Sequence, residues 1–282
     1  MYQNQIAQQV TQALNEDLNN QSAAAGDITA QLIPAEQEAS GRVITRENAV
    51  ICGVEWVDET MKQVDERIKL QWQVADGDKV EPNQTLFTFS GPARAILTAE
   101  RTALNFLQTL SATATSTSLY VAEIRALGST TQILDTRKTL PGLRLAQKYA
   151  VKCGGGENHR IGLFDAYLIK ENHIQAAGGI TAAVTRAKVL TPGAKVEVEV
   201  ETLAQLQEAM DAGADIVMLD NFTLDMTRDA LALAKDKVKI EASGNMDGDK
   251  FKAYAKLNVD YISIGGLTKH IQAIDLSMRF DD

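Results

Sequence analysis

VEVEVETLAQLQEAMDAGADIVMLDN, residues 196–221, is the stretch that decides the fold. Val196–Val200 alternates apolar and acidic side chains, the period-two pattern of a strand. Leu203–Ala212 then carries Leu, Ala, Gln and Glu at helical spacing, and Ile216–Leu219 is a second strand. The same rhythm runs outward in both directions. Further strands are expected at Gln132–Leu134, Tyr167–Ile169, Lys239–Glu241 and Tyr261–Ile264, with helices such as Leu224–Ala234 and Lys250–Leu257 between them. Six alternating units predict a parallel sheet with right-handed crossovers. No Gly-x-Gly-x-x-Gly turn follows the first strand, which disfavours a dinucleotide-binding sheet. A closed or partly open α/β barrel fits better.

The first third of the chain has a different character. Met1–Asn20 reads as an amphipathic helix, the segment from Gly41 to Gly53 as two short strands, and Trp56–Val64 as a helix. Ile68–Val74 and Leu86–Phe89 read as strands, with Asp76-Gly77-Asp78 as a turn before the second. Pro92–Leu127 is helical in pattern, and the Ser/Thr-rich run from Ser111 is expected to divide it into two helices.

Bulk properties narrow the function. Aromatic residues are only 5% of the 282, so the core must be aliphatic and Ala-rich, which suits βα architecture. The net charge of −9 argues against a nucleic-acid partner, which needs a positive surface. No apolar window is long enough to span a membrane, and the polar N-terminus has no apolar leader core. The two cysteines, Cys52 and Cys153, show neither metal-type spacing nor a disulfide framework, and are expected to be free thiols in a reducing, cytoplasmic setting.

In α/β barrels the chemistry collects at the C-terminal ends of the strands. Here those positions hold Asp135, Arg137 and Lys138; Lys170 to His173; Glu197, Glu199 and Glu201; Asp220 and Asn221; Glu241 to Gly244; and Gly265 with Gly266. Arg137, Lys138, His159, Arg160 and Lys170 concentrate positive charge in an acidic chain, which suits a substrate with several negative charges. His173 is either one more member or a cap for the loop after Lys170. Glu197, Glu199 and Glu201 share one parity and so face one side of their strand, where cations must meet them. Glu199 and Asp220, ending adjacent strands, suit Mg²⁺ held together with waters and phosphates. The alternative is an interior Lys–Glu ion-pair network. Ser243-Gly244 and Gly265-Gly266, before the last helices, suit a terminal phosphate.

An ordered set of motifs then carries a resemblance: Gly26-Asp-Ile-Thr29, Glu100-Arg101-Thr-Ala-Leu-Asn105, Asp135-Thr-Arg-Lys-Thr-Leu-Pro-Gly-Leu-Arg144, Gly155-Gly-Glu-Asn-His-Arg160-Ile-Gly-Leu-Phe-Asp165, Leu168-Ile-Lys-Glu-Asn-His173, Val196-Glu-Val-Glu-Val-Glu201, Leu219-Asp-Asn-Phe222 and Glu241-Ala-Ser-Gly244. Over nearly the whole chain this resembles the quinolinate phosphoribosyltransferases. The resemblance implies an N-terminal α/β sandwich domain (1–113) and a C-terminal open parallel α/β barrel (114–267), with 268–282 packing back on the first. It implies transfer of phosphoribosyl from phosphoribosyl pyrophosphate to quinolinate with Mg²⁺ and loss of CO2, a step of NAD biosynthesis. By motif, Arg137, His159, Arg160 and Lys170 would bind quinolinate and Lys138 would lie beside the pyrophosphate. Glu199 and Asp220 would face ribose and metal, and Ser243, Gly244 and Gly265 would hold phosphate. Lys138, Lys170, Glu199 and Asp220 form the expected catalytic set. Arg101 would reach the neighbouring subunit's site, making a homodimer the minimal active unit, with higher oligomers open. One departure is Ser111-Ala-Thr-Ala-Thr115, where the family usually has Gly in second place. Rival expectations are a related transferase for another acid, which would need fewer cations for nicotinate, and a sensor of anionic pyridines, which would be expected to lack a metal-site acid.

Overall fold

Val196, Val198 and Val200 are fully buried on one side of their strand, while Glu197 and Glu199 project from the other. That strand belongs to a six-stranded, wholly parallel sheet in the computed structural model, which describes residues 2–235, 237–244, 246 and 248–281.

The chain begins with α1 (Tyr2–Asp17), α2 (Ala23–Gly26), β1 (Glu38–Thr45), β2 (Ala49–Val50), α3 (Val54–Val64), β3 (Lys69–Trp72), β4 (Lys79–Val80), β5 (Thr85–Pro92) and α4 (Ala93–Ala126). There follow β6 (Gln132–Leu134), α5 (Arg144–Cys153), β7 (Ala166–Ile169), α6 (Glu171–Ala177), α7 (Ile180–Leu190), β8 (Lys195–Val200), α8 (Leu203–Asp211), β9 (Ile216–Asp220) and α9 (Leu224–Ala234). The last elements are β10 (Lys239–Ser243), α10 (Gly248–Ala255), β11 (Tyr261–Ser263), α11 (Gly266–Lys269) and β12 (Leu276–Phe280).

Two compact units result, interleaved in sequence. The first comprises 1–118, 140–155 and 268–282; the second comprises 119–139 and 156–267. The expected arrangement had a single break after residue 113 and a return at 268. The division instead falls within α4, and α5 counts with the first unit.

In the first unit an antiparallel sheet, ordered β12-β1-β5-β3, is covered by helices. Val43, Leu86, Phe87 and Phe89 from its strands pack with Val57 and Met61 of α3 and with Ile96, Ala99, Ala103 and Leu107 of α4. This sheet-and-helix sandwich is closed at one edge by the C-terminal strand: Gly41 to Thr45 of β1 pair with Leu276 to Phe280.

In the second unit the order is β6-β11-β10-β9-β8-β7. The two strands earliest in sequence are thus the two edges, which is the order of a barrel left open between them. The segment after α5 runs beside β6 at that seam: Leu134 bridges Glu157 in parallel, and the Asp135 N–H donates to the Glu157 carbonyl.

One expectation is corrected. The Ser/Thr-rich run does not break the helix; α4 continues unbroken for 34 residues. The hydroxyls of Ser111, Thr115, Thr117 and Ser118 find partners within the helix or beside it, whereas that of Thr113 is buried without one. Thr115 and Thr117 donate to carbonyls four residues back, and Ser111 both accepts from the Cys52 N–H at 2.9 Å and donates to its carbonyl. Such back-bonding removes the polar side chains' competition with the helical ladder. Ala112, at the family's glycine position, packs into the aliphatic core.

Candidate active site

Strand register decides what faces the barrel interior. Glu199 pairs with Met218, Met218 with Glu241, and Asp220 with Ser243. Glu199, Asp220 and Ser243 therefore project from one face of three adjacent strands, at their C-terminal ends. At the end of β7, Lys170 is the N-cap residue of α6, and its ammonium pairs with the Glu199 carboxylate. The Lys170 side chain is 46% exposed, so the pair is open to a ligand. His173 turns out to be the cap: its Nδ1 accepts the Lys170 N–H at 3.1 Å.

Lys138 and Gly265 meet. A Cβ at residue 265 would stand 3.0 Å from Lys138 Cδ, so glycine leaves the lysine its place. Gly244 holds φ of +99°, a backbone that side-chain-bearing residues rarely adopt, and a Cβ there would stand 3.4 Å from Asn221 Oδ1. Asn245 and Asp247, which follow Gly244 in the sequence, lie outside the described residues.

Asp135, fully buried, organises the next loop by accepting the His159 N–H at 2.9 Å and the Asn158 side-chain amide. Arg160 sits partly buried near Arg137, and both burial and the Arg137 charge press its guanidinium below the ordinary arginine value. The Arg137 Nε is buried with no acceptor. Two adjacent guanidiniums with an unsatisfied donor constitute a demand for an anion.

His159 is directed elsewhere. Its Nδ1 accepts the Arg160 N–H at 2.7 Å, so the imidazole proton sits on Nε2, which lies 2.8 Å from Glu197 and 3.6 Å from Glu241. Burial pushes the Glu241 carboxyl up to about 8, with the Glu197 charge adding to it, and burial likewise raises Glu197 to about 7. Neither Glu241 oxygen has a well-formed hydrogen bond. Glu241 therefore keeps its proton at neutral pH beneath the strand-end residues.

The structure brings together Lys170 with Glu199, Asp220 with Ser243, Lys138 with Gly265, and Arg137 with Arg160. Arg101 stands apart from these in kind: it is exposed on α4 in the first unit, lining a cavity with Glu16, Asp17 and Asn105. Sequence reasoning did not single out the Glu197–Glu241 pair. The available signal was an acid between the apolar residues Ile240 and Ala242, in the middle of the strand Lys239–Ser243. For a divalent cation, Glu199 and Asp220 offer hard oxygens on adjacent strands. Neither belongs to a preformed group of three ligand residues among the described residues. They fit an ion that draws its remaining ligands from phosphates and water, as Mg²⁺ does.

A barrel with clustered cations, paired acids and small-residue turns at its strand ends is a protein built to hold polyanions. Residues 27–111 match the N-terminal domain, and 113–279 the C-terminal domain, of quinolinate phosphoribosyl transferase. The chain is 51% identical to the nicotinate-nucleotide pyrophosphorylase of Francisella tularensis, whose structure superposes with a TM-score of 0.94 over 99% of this chain and 96% of that one. It is 39% identical to a probable carboxylating nicotinate-nucleotide pyrophosphorylase of Bacillus subtilis, over 90% of this chain and 87% of the relative. With the corresponding protein of Mycobacterium leprae it shares 37% identity over 95% of each. The chain belongs to the quinolinate phosphoribosyltransferase family and is a phosphoribosyltransferase of NAD biosynthesis.

Proposed function

We propose that the protein transfers phosphoribosyl from phosphoribosyl pyrophosphate to the nitrogen of quinolinate, with loss of CO2, giving nicotinate mononucleotide and pyrophosphate. The observation that carries this is the strand-end array: Lys170 on Glu199, with Asp220 and Ser243 in register beside it. A cation for a carboxylate, two acids for a ribosyl cation and a hydroxyl for a phosphate are thus grouped at neighbouring strand ends.

In this reading Arg137, Arg160 and Lys170 bind the quinolinate carboxylates. His159, held by Glu197, contributes an edge of fixed orientation. Lys138, against Gly265, neutralises charge on the departing pyrophosphate. As the C–O bond from ribose C1 to pyrophosphate lengthens and the C–N bond to the quinolinate nitrogen forms, positive charge grows on the ribose, and the Glu199 and Asp220 carboxylates stabilise it. Ser243, Gly244 and Gly265 anchor the 5-phosphate. Mg²⁺, held by Glu199 and Asp220 with substrate oxygens, would supply electrostatic stabilisation to the leaving group. After transfer, the ring nitrogen is positive; the bond from the neighbouring ring carbon to its carboxylate breaks, CO2 leaves, and the electron pair stays on that carbon beside the positive charge until it takes up a proton from water. This step asks for positioning and dryness, not for a general base.

Arg101, exposed on α4 and outside the unit of this array, is assigned to the site of a second copy, so the active form is a homodimer. No helix among the described residues is long and apolar enough to cross a membrane, and the two free thiols suit a cytoplasmic location. The test is an assay with quinolinate, phosphoribosyl pyrophosphate and Mg²⁺, following nicotinate mononucleotide. Turnover of another acid with none of quinolinate would overturn the assignment.

A further inference from the structure

Two thiols far apart in sequence meet in the first unit. Cys52 follows β2 and is fully buried, its N–H fixed by the Ser111 hydroxyl. Cys153 closes α5 and is half-buried. Their sulfurs and a carboxylate oxygen of Asp76 all lie within 4.8 Å of one another. None of these groups takes part in the transfer reaction. The Asp76 carboxylate is already engaged: Oδ1 accepts the N–H groups of Gly53 and Val54 at 2.8 and 3.1 Å, and Oδ2 accepts the Tyr149 hydroxyl at 2.9 Å. A metal ion would have to displace those bonds, which leaves thiol chemistry as the free capacity of the cluster.

We propose that Cys153 and Cys52 form a reversible thiol–disulfide pair, in which Cys153 is the sulfur oxidised by a hydroperoxide and Cys52 is the thiol that resolves it. The two environments differ in the way such a pair requires. Cys153 stands where a small oxidant can reach it, and Cys52 does not. The hydrogen bond from Cys52 lowers the Cys153 thiol, whereas burial raises Cys52, so the proton stays on the buried sulfur.

The Cys153 thiolate attacks the O–O bond of the hydroperoxide. An S–O bond forms, the O–O bond breaks, and the leaving oxygen takes up a proton and departs as water or alcohol. Cys52 sulfur then attacks the sulfenic sulfur: the S–S bond forms, the S–O bond breaks, and hydroxide leaves with the Cys52 proton as water. Two thiols and one hydroperoxide give one disulfide, one water and one further water or alcohol. A small dithiol reverses the process by exchange.

The experiment treats the reduced, full-length protein with hydrogen peroxide and follows free thiols, intact mass and linked peptides. The expected result is loss of both thiols and of the mass of two hydrogens, with a single intrachain Cys52–Cys153 peptide that a dithiol removes. In C52S, a sulfenic-acid probe should label Cys153; in C153S, Cys52 should stay unlabelled. The wild-type peptide map needs no variant to fold. Two thiols still titratable after peroxide, a link formed only between chains, or first labelling at Cys52 would each overturn the proposal.

Discussion

At the residue scale, Lys170 and Glu241 make opposite uses of charge. Lys170 is partly exposed and bound to one carboxylate, so removing it should leave the fold intact and cost transition-state stabilisation. Lys170→Ala is expected to lower kcat/KM for quinolinate by about 10²–10³-fold, the loss seen when one preorganised electrostatic contact is removed, with unchanged circular dichroism. Activity within a few-fold of wild type would remove Lys170 from the site. Glu241 is buried with its pKa raised to about 8. The folded state therefore holds this proton more tightly than the unfolded chain. The associated stability is complete below the unfolded value of 4.5 and is lost as pH rises toward 8, by on the order of a few kcal/mol. Glu241→Gln keeps the shape without the charge. Its melting temperature should fall less than that of the wild type between pH 5 and 9, and parallel curves would contradict the buried-proton account. Burial of this kind is invisible in a string of residues: Lys239–Ser243 shows an acid at an alternating position, but not that a second acid and an imidazole stand across from it.

At the element scale, α4 shows why composition misleads. A Ser/Thr run reads as a helix break because its side chains can capture the backbone. Here Thr115, Thr117 and Ser118 bond back to carbonyls of the intact helix, and Thr115 and Ser111 also serve the chain beside it, with Ser111 clamping both backbone groups of buried Cys52. Ser111→Ala should destabilise the protein by about 1–2 kcal/mol, since the buried N–H and carbonyl lose their partner. Chemical denaturation measures it, and an unchanged midpoint would show that the clamp carries no weight. The strands of the barrel, by contrast, were legible. β8 and β9 stand where alternation and apolar runs put them, because both edges of each strand are paired and the helix-facing side must be apolar. The helix α9 coincides with the expected Leu224–Ala234, with Thr223 capping it through an accepted N–H from Met226.

At the scale of the whole molecule, the shared-site proposal makes Arg101 and Lys138 separable. Arg101→Ala and Lys138→Ala chains should each be inactive alone. If Arg101 serves the partner's site, random mixing gives hybrid dimers in half of the population, each with one intact site, or about a quarter of wild-type activity. Hybrids that form without recovering activity would show that Arg101 serves its own chain. Chelation of divalent ions should abolish turnover of the same preparation and Mg²⁺ should restore it; turnover persisting in chelator would remove the metal from the scheme.

The sequence by itself determined the parallel α/β barrel, the positions of its strand ends and the cationic and acidic residues gathered there. Strand periodicity and charge are local properties, and a barrel places consecutive strand ends at one mouth. Only the tertiary structure decided that α4 is continuous, that α5 counts with the first unit, and that His159 turns to Glu197 and Glu241. It also decided that the sulfurs of Cys52 and Cys153 stand within 4.8 Å of one another. Each of these depends on a neighbour distant in the chain, through burial and hydrogen bonding that no window of sequence contains.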